Sequence, residues 1–127
     1  MILDIIMVLR KSETSSGKII LAGKDATSNE ELIKQIEKNE IVLHTKAPGS
    51  PFVNIKEDTK KLTKQDLKEA AIFCVKYSQA WKKAKVKKDV EVHYFLGGNI
   101  FKNKLMKIGT FGVKKFNKII VKKDEIK

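Results

Sequence analysis

The chain has 127 residues, a length typical of one domain with its own hydrophobic core. Its formal net charge is +12, from 27 lysine and arginine residues against 15 aspartate and glutamate residues. The single cysteine, Cys74, excludes an intramolecular disulfide, and no apolar run approaches the ~20 residues of a membrane-spanning helix. The first ten residues lack the basic start and the cleavage site of a signal peptide, so we expect a soluble cytoplasmic protein without membrane contact.

The first third of the chain predicts two strands and a short helix. Strands are expected in LDIIMVLRK (3–11) and GKIILAG (17–23), because both are rich in β-branched residues and a polar loop lies between them. The stretch TSNEELIKQIEKN (27–39) predicts a helix with Ser28 as N-cap and Glu31 as its capping-box partner. Asn39 suits the end of that helix.

The middle of the chain predicts two strands and a longer helix. IVLH (41–44) and FVNI (52–55) are short strands around the loop TKAPGSP. A helix is expected from about Thr63, because Thr63-x-x-Asp66 is a capping pattern. Residues at a three-four spacing predict one helical face packed on a sheet: Leu67, Ala70, Ala71, Cys74, Ser78 and Trp81.

The last third predicts strands. VEVHYFL (90–96) alternates as a strand, and IGTFGV (108–113) and KIIVK (118–122) are expected to form a final hairpin, followed by a frayed end. We therefore predict a single domain over residues 1–127 of the α+β class. It has an antiparallel sheet of about six to seven strands with one short and one long helix packed on it.

The positive charge is concentrated in the second half of the chain. Residues 1–59 hold 8 basic and 9 acidic side chains, whereas residues 60–127 hold 19 basic and 6 acidic ones. Such an excess favours a polyanionic partner, and nucleic acid is the first candidate. A genome-wide bias towards lysine is the alternative, since 26 of the 27 basic residues are lysine. The asymmetry argues against that bias, which would act on both halves.

Four stretches in the same order resemble the NFACT-R domain. They are GKDATSNEELIK, LHTKAPGSPFVNI, LKEAAIFCVKYSQAWKKAKV and the tail from VEVHYF to KIIVKK, and together they cover the chain from about Lys18 to Lys123. The resemblance implies an RNA-binding module linked to ribosome-associated quality control and translation, with tRNA or rRNA and the large ribosomal subunit as expected partners. It also implies a stand-alone NFACT-R protein, with a separate protein supplying the other NFACT modules.

Two other functions stay open at this point. The family is also linked to RNA modification, as an enzyme or an accessory subunit, and one version to DNA. The loop HTKAPGS lacks the aspartate that many family members carry before its small residues, which weakens a catalytic role for it. No P-loop and no histidine–cysteine metal cluster is present, so we expect no enzyme activity, metal or cofactor.

The loop between the two short strands is the first candidate RNA contact. Lys46, the hydroxyls of Thr45 and Ser50 and free amides near Gly49 could together hold a phosphate, or the loop could be an ordinary tight turn. His44 ends the preceding strand. By itself it is typical of a hydrogen-bonded structural histidine, and the family resemblance implies an RNA contact.

Two further segments complete the predicted interface. Lys24 precedes a helix N-terminus, where we expect a phosphate contact, and Asn29 either reads a base edge or ties the turn together. Lysines crowd the exit of the long helix, whereas Trp81 is expected to anchor the core. Because lysine lacks arginine's planar fork, we expect recognition led by phosphates with little sequence preference. The predicted RNA-binding residues are Lys24, Asn29, His44, Lys46, Ser50, Lys82, Lys83 and Lys85.

Overall fold

The structure is a computed structural model and describes residues 8–126. Its strands are β1 Arg10–Glu13, β2 Ile19–Ala22, β3 Glu40–Thr45, β4 Val53–Asp58, β5 Val90–Leu96, β6 Ile100–Phe101, β7 Gly112–Val113 and β8 Asn117–Val121. Its α-helices are α1 Ala26–Lys34, α2 Lys64–Lys76 and α3 Gln79–Lys82, and short 3-10 helices occupy Thr59–Lys61, Gly97–Asn99 and Lys123–Glu125. The predicted α+β class, with one long and one short helix on an antiparallel sheet, is confirmed.

Six strands form the main sheet, in the order β1-β2-β4-β3-β5-β8, and all neighbouring pairs are antiparallel. Strands β6 and β7 pair only with each other in a second, two-stranded sheet. The main sheet buries both faces, because successive side chains of a strand point to opposite sides. One face packs on α2 through Ile20, Leu43, Val53, Ala70, Ala71, Cys74 and Val75. The other packs on α1 through Leu21, Leu32, Val42, Phe52 and Phe95.

Helix α2 begins as the sequence predicts. The Thr63 hydroxyl accepts from the Asp66 amide, and the Asp66 carboxylate accepts from the Thr63 amide, each at 3.0 Å. The helix ends at Lys76, however, with Tyr77 as its C-cap, and the Ser78 hydroxyl caps α3 by accepting from the Trp81 amide at 3.2 Å. The predicted face therefore spans two helices, and Trp81 packs against the core as expected.

Helix α1 differs from its prediction at both ends. Its N-cap is Asp25 and not Ser28, because the Asp25 carboxylate accepts from the Ser28 amide at 2.8 Å. The Ser28 hydroxyl in return accepts from the Asp25 amide, which completes a capping box. The helix ends at Lys34, five residues before Asn39, because Gln35 turns its side-chain amide back to the Leu32 carbonyl at 2.8 Å.

Three predictions near the chain ends were wrong or lie outside the described residues. The segments 108–113 and 118–122 do not form a hairpin, because β7 pairs with β6 and β8 pairs with β5. The frayed end that was expected is not seen up to residue 126, because Lys68 forms an ion pair with Glu125 at 3.1 Å. Strand β1 begins at Arg10, and most of the predicted strand 3–11 lies outside the described residues. Within residues 8–126, no helix has the length and apolar composition needed to cross a membrane.

Candidate nucleic-acid interface

A cleft of about 600 Å³ opens at the end of the sheet where β2 and β3 end and β4 begins. Four segments form its walls: the β2–α1 connection, the β3–β4 loop, the α2–α3 junction and residues 108–111 before β7. These segments lie far apart in the sequence. The antiparallel order of the sheet brings them to one place, because it sets the start of β4 beside the ends of β2 and β3.

The cleft has an aromatic floor, which we define as His44, Phe52, His93, Phe111 and Phe116. Residues His44 and His93 lie opposite each other in the β3–β5 register. The His44 and Phe52 ring centroids are 4.5 Å apart, and Phe111 meets Phe52 edge-on at 5.5 Å. The ring of Phe116 stacks on His93 at 4.0 Å with an interplanar angle of 16°. The floor therefore consists of two groups of contacting rings, His44–Phe52–Phe111 and His93–Phe116.

His44 is held as a neutral ring. Its Nδ1 donates to the Thr45 carbonyl at 2.7 Å, which fixes the ring orientation. Burial lowers the pKa of His44 below its ordinary value, and the hydrogen bonds to backbone only partly oppose that effect. A neutral imidazole does not attract phosphate as a cation would. His44 thus has the hydrogen bond expected of a structural histidine, and its contact with RNA stays a prediction.

The β3–β4 loop uses its hydroxyls internally. Ser50 is 8% exposed, and its hydroxyl accepts from the Thr45 amide and donates to the Pro51 carbonyl, each at 3.0 Å. The Thr45 hydroxyl donates to the Ala47 carbonyl at 2.6 Å. Both hydroxyls thus have partners within the loop, as in an ordinary tight turn, and a contact of Ser50 with RNA stays a prediction. Gly49 has φ +91, and its carbonyl accepts a hydrogen bond from the Gln79 backbone amide at 2.9 Å. The loop therefore lies against the start of α3.

Three exposed lysines line the cleft, and we call Lys24, Lys46 and Lys82 the rim lysines. Each comes from a different wall of the cleft. None of them forms an ion pair within residues 8–126, whereas other lysines pair with carboxylates: Lys18, Lys34, Lys56, Lys68, Lys102 and Lys118. Lys83 and Lys85 are exposed but do not line the cleft. The predicted set thus divides into three lysines around the cleft and two beyond it.

Asn29 lines the cleft but has a structural contact there. Its side-chain oxygen accepts from the Phe52 amide at 3.3 Å, which ties α1 to the start of β4. The same oxygen would lie 1.9 Å from a Cβ placed on Gly23, so only glycine fits at Gly23. The turn-forming interpretation of Asn29 therefore describes its contacts better than base-edge reading.

Sequence reasoning missed several cleft residues. Arg10, the single arginine, places its guanidinium 4.2 Å from the Tyr77 ring centroid and donates to the Gly23 carbonyl at 3.3 Å. His93 and Phe116 also line the cleft, and neither is among the predicted RNA-binding residues. The alternation of β5 puts His93 on the same face as Phe95, but only the pairing with β3 places it beside His44. That pairing is not encoded locally.

The model of the family described as "NFACT protein RNA binding domain" matches residues 7–115. The chain belongs to this family. The NFACT RNA-binding domain is thus the unit whose cleft is described above.

Two relatives place the NFACT RNA-binding domain in context. The chain is 43% identical over 68 residues to the "Archaeal Rqc2 homolog aRqcH" of Methanocaldococcus jannaschii; the match covers 53% of this chain and 10% of that protein. Its fold matches the C-terminal part of the fibronectin/fibrinogen-binding protein from Streptococcus suis with a TM-score of 0.79. That match covers 93% of this chain and 47% of the other, at 23% sequence identity, and it supports the fold alone.

One wall of the NFACT RNA-binding domain's cleft is held by a single carboxylate. Glu30 of α1 accepts from the Lys102 ammonium at 2.7 Å and from the Gly109 amide at 2.6 Å. The hydrogen bond from Lys102 is the main cause that lowers the pKa of Glu30. Gly109 has φ +81 and packs on the Ala26 backbone. The segment before β7 therefore lies against the start of α1.

We expect Glu30→Ala to loosen that wall with a small loss of global stability. Amide exchange of residues 108–111 should become faster, because the carboxylate that holds the Gly109 amide is gone. The free energy of unfolding should fall by about 1 kcal/mol, since the contact is partly exposed. Hydrogen–deuterium exchange and urea denaturation measure the two effects. Glu31→Ala is the matched control, because Glu31 only pairs with Lys34 on the same helix. Equal exchange in both variants would contradict the assignment.

Proposed function

We propose that this chain binds RNA in ribosome-associated quality control and that it holds the phosphates of tRNA or rRNA at the cleft. Membership of the NFACT RNA-binding family and the likeness to an Rqc2 homologue support the general role. The observation that carries the phosphate contact is the arrangement of the rim lysines. Three ammonium groups from separate segments surround one cleft and have no carboxylate partner within residues 8–126.

The chemistry of the rim lysines suits a phosphate backbone. An exposed lysine is a compact charge on a flexible stem, so it positions a phosphate without reading a base. Lys83 and Lys85 continue the basic surface from the α3 end of the cleft. Lys114 and Lys115 are also exposed and directly precede Phe116. A backbone that enters the cleft can thus meet further ammonium groups on leaving it.

A binding role fits the cleft better than a catalytic one. Within residues 8–126, no group of three or more histidine, cysteine, aspartate or glutamate side chains is placed to hold a metal ion. Burial raises the pKa of the Cys74 thiol to about 12, so it is not a nucleophile at neutral pH. The neutral His44 is hydrogen-bonded to the Thr45 backbone and has no acidic partner among its described contacts.

A salt titration with tRNA tests the proposal. If the rim lysines each neutralise one phosphate, log K should fall against log salt with a slope of about −2 to −3. The slope should approach about −4 if Lys83 and Lys85 also take part. Filter binding or fluorescence anisotropy at several salt concentrations gives the slope. Affinity that does not change with salt would refute the electrostatic contact, and duplex DNA that competes as well as tRNA would refute selectivity for RNA.

A further inference from the structure

The charged side chains of the cleft lie at its rim and the aromatic rings lie at its floor. This arrangement matches the two parts of a nucleotide. The rim lysines are exposed and cationic, whereas the rings at the floor include a neutral His44. A nucleotide has the same division, with a charged phosphate at one end and a flat base at the other. We propose that the cleft takes one unstacked nucleobase of a single-stranded RNA segment, which stacks on Phe116 while the rim lysines hold adjacent phosphates. This inference rests on the proposed function.

Phe116 has the geometry of a stacking platform. Its side chain is 47% exposed, although it is a large apolar residue in a loop between two strands. One side of its ring lies against His93, at 4.0 Å and 16°. His93 is itself held by a hydrogen bond of 2.8 Å between its Nε2 and the Glu91 carboxylate. One face of the ring is therefore covered by His93, and Phe116 lines the cleft with nearly half of its side chain exposed.

The size of the cleft fits such a ligand. About 600 Å³ lies within the range of ~300–1,000 Å³ that is typical of small-molecule sites, so a base and its sugar can enter. Base stacking on an exposed aromatic ring is also largely independent of sequence, because every base has a π-face. A double helix cannot use the site in this way, because its bases are stacked and paired. The structure thus predicts a preference for single-stranded segments, loops or ends over duplex RNA.

The test compares the binding of single-stranded RNA and of a blunt-ended RNA duplex to two variants. The probe is a short single-stranded RNA with one central 2-aminopurine, whose fluorescence changes on stacking, and a second strand carries an abasic site at that position. We expect Phe116→Ala to weaken binding of the first strand by roughly 5- to 150-fold and to remove the fluorescence change. Binding of a blunt-ended RNA duplex, which has no unpaired base, should change less than twofold. Ile120→Ala is the matched control, because Ile120 is also 47% exposed but does not line the cleft.

The outcomes separate this inference from the proposed function. If the abasic strand binds as tightly as the intact one, or if Phe116→Ala has no effect while the salt dependence persists, RNA binding stands and the base site is overturned. If neither RNA binds, both fail. Adenosine monophosphate that displaces the strand at an equal nucleotide concentration would mean that the cleft takes free nucleotides, which also overturns the inference. A circular dichroism spectrum checks that both variants are folded.

Discussion

Replacing the three rim lysines by glutamate is expected to abolish RNA binding. The variant Lys24→Glu, Lys46→Glu, Lys82→Glu removes three phosphate contacts and adds three like charges at the same positions. Because like charges across an interface cost several kcal/mol, affinity should fall by at least ~100-fold at physiological salt. The fold should be retained, since all three side chains are exposed and none forms an ion pair among the described residues. Fluorescence anisotropy with labelled tRNA measures the loss.

The matched control is the same charge reversal at the opposite end of the sheet. Lys60, Lys61 and Lys64 are exposed and follow the end of β4, whereas the cleft lies at its beginning. The change in net charge is identical in the two variants, so a general loss of attraction would weaken both to a similar degree. We expect the control to retain most of its affinity. Equal losses would mean that the cleft is not the binding site.

The second large effect concerns stability, and it arises at Asp66. The carboxylate is 1% exposed, and it accepts from the Ser16 hydroxyl at 2.6 Å and from the Thr63 amide at 3.0 Å. It thereby caps α2 and ties that helix to the β1–β2 loop. We expect Asp66→Ala to lower the free energy of unfolding by about 2 kcal/mol, because the helix cap and the charge-assisted hydrogen bond from Ser16 are lost. Urea denaturation at neutral pH measures the change.

The contribution of Asp66 should also depend on pH. Burial by itself would raise the pKa of Asp66, but the hydrogen bonds from Ser16 and Thr63 outweigh it and lower the pKa from 3.8 to about 2. The stabilisation is therefore complete above pH 3.8 and is lost as the pH falls towards 2. The difference between the native chain and Asp66→Ala should narrow over that range. Asp124→Ala, at an exposed position, is the control. A difference that stays constant down to pH 2 would contradict the assignment.

The fold could be predicted where local chemistry determines it. The capping pattern of Thr63 and Asp66 fixed the start of α2, because both partners lie within one helical turn. The start of α1 was misplaced since two capping patterns overlap there, and the choice depends on burial of Ser28, which is 6% exposed. The partner of β7 was also wrong. A short strand such as β7 can pair with the strand that precedes it, β6, or with the strand that follows it, β8. Because β8 pairs with β5, β7 pairs with β6.

The sequence indicates the lysines of the candidate site but not its aromatic residues. Lys24 and Lys46 could be assigned because each adjoins a glycine-containing turn at a strand end. Lys83 and Lys85 could not be separated from Lys82, because the turn of a short helix decides which of them lines the cleft. Phe116 gave no signal, since its role depends on a ring that lies in another strand.

The distances in sequence between the cleft walls have a consequence for how the chain folds. Arg10, at one end of the described chain, and Phe116, near the other, line the same cleft, so loop closure over most of the chain must precede its assembly. Topologies dominated by such non-local contacts fold slowly compared with helical bundles of the same size. A chain still emerging from synthesis therefore lacks the assembled cleft until the segment that carries Phe116 has joined the sheet through β8.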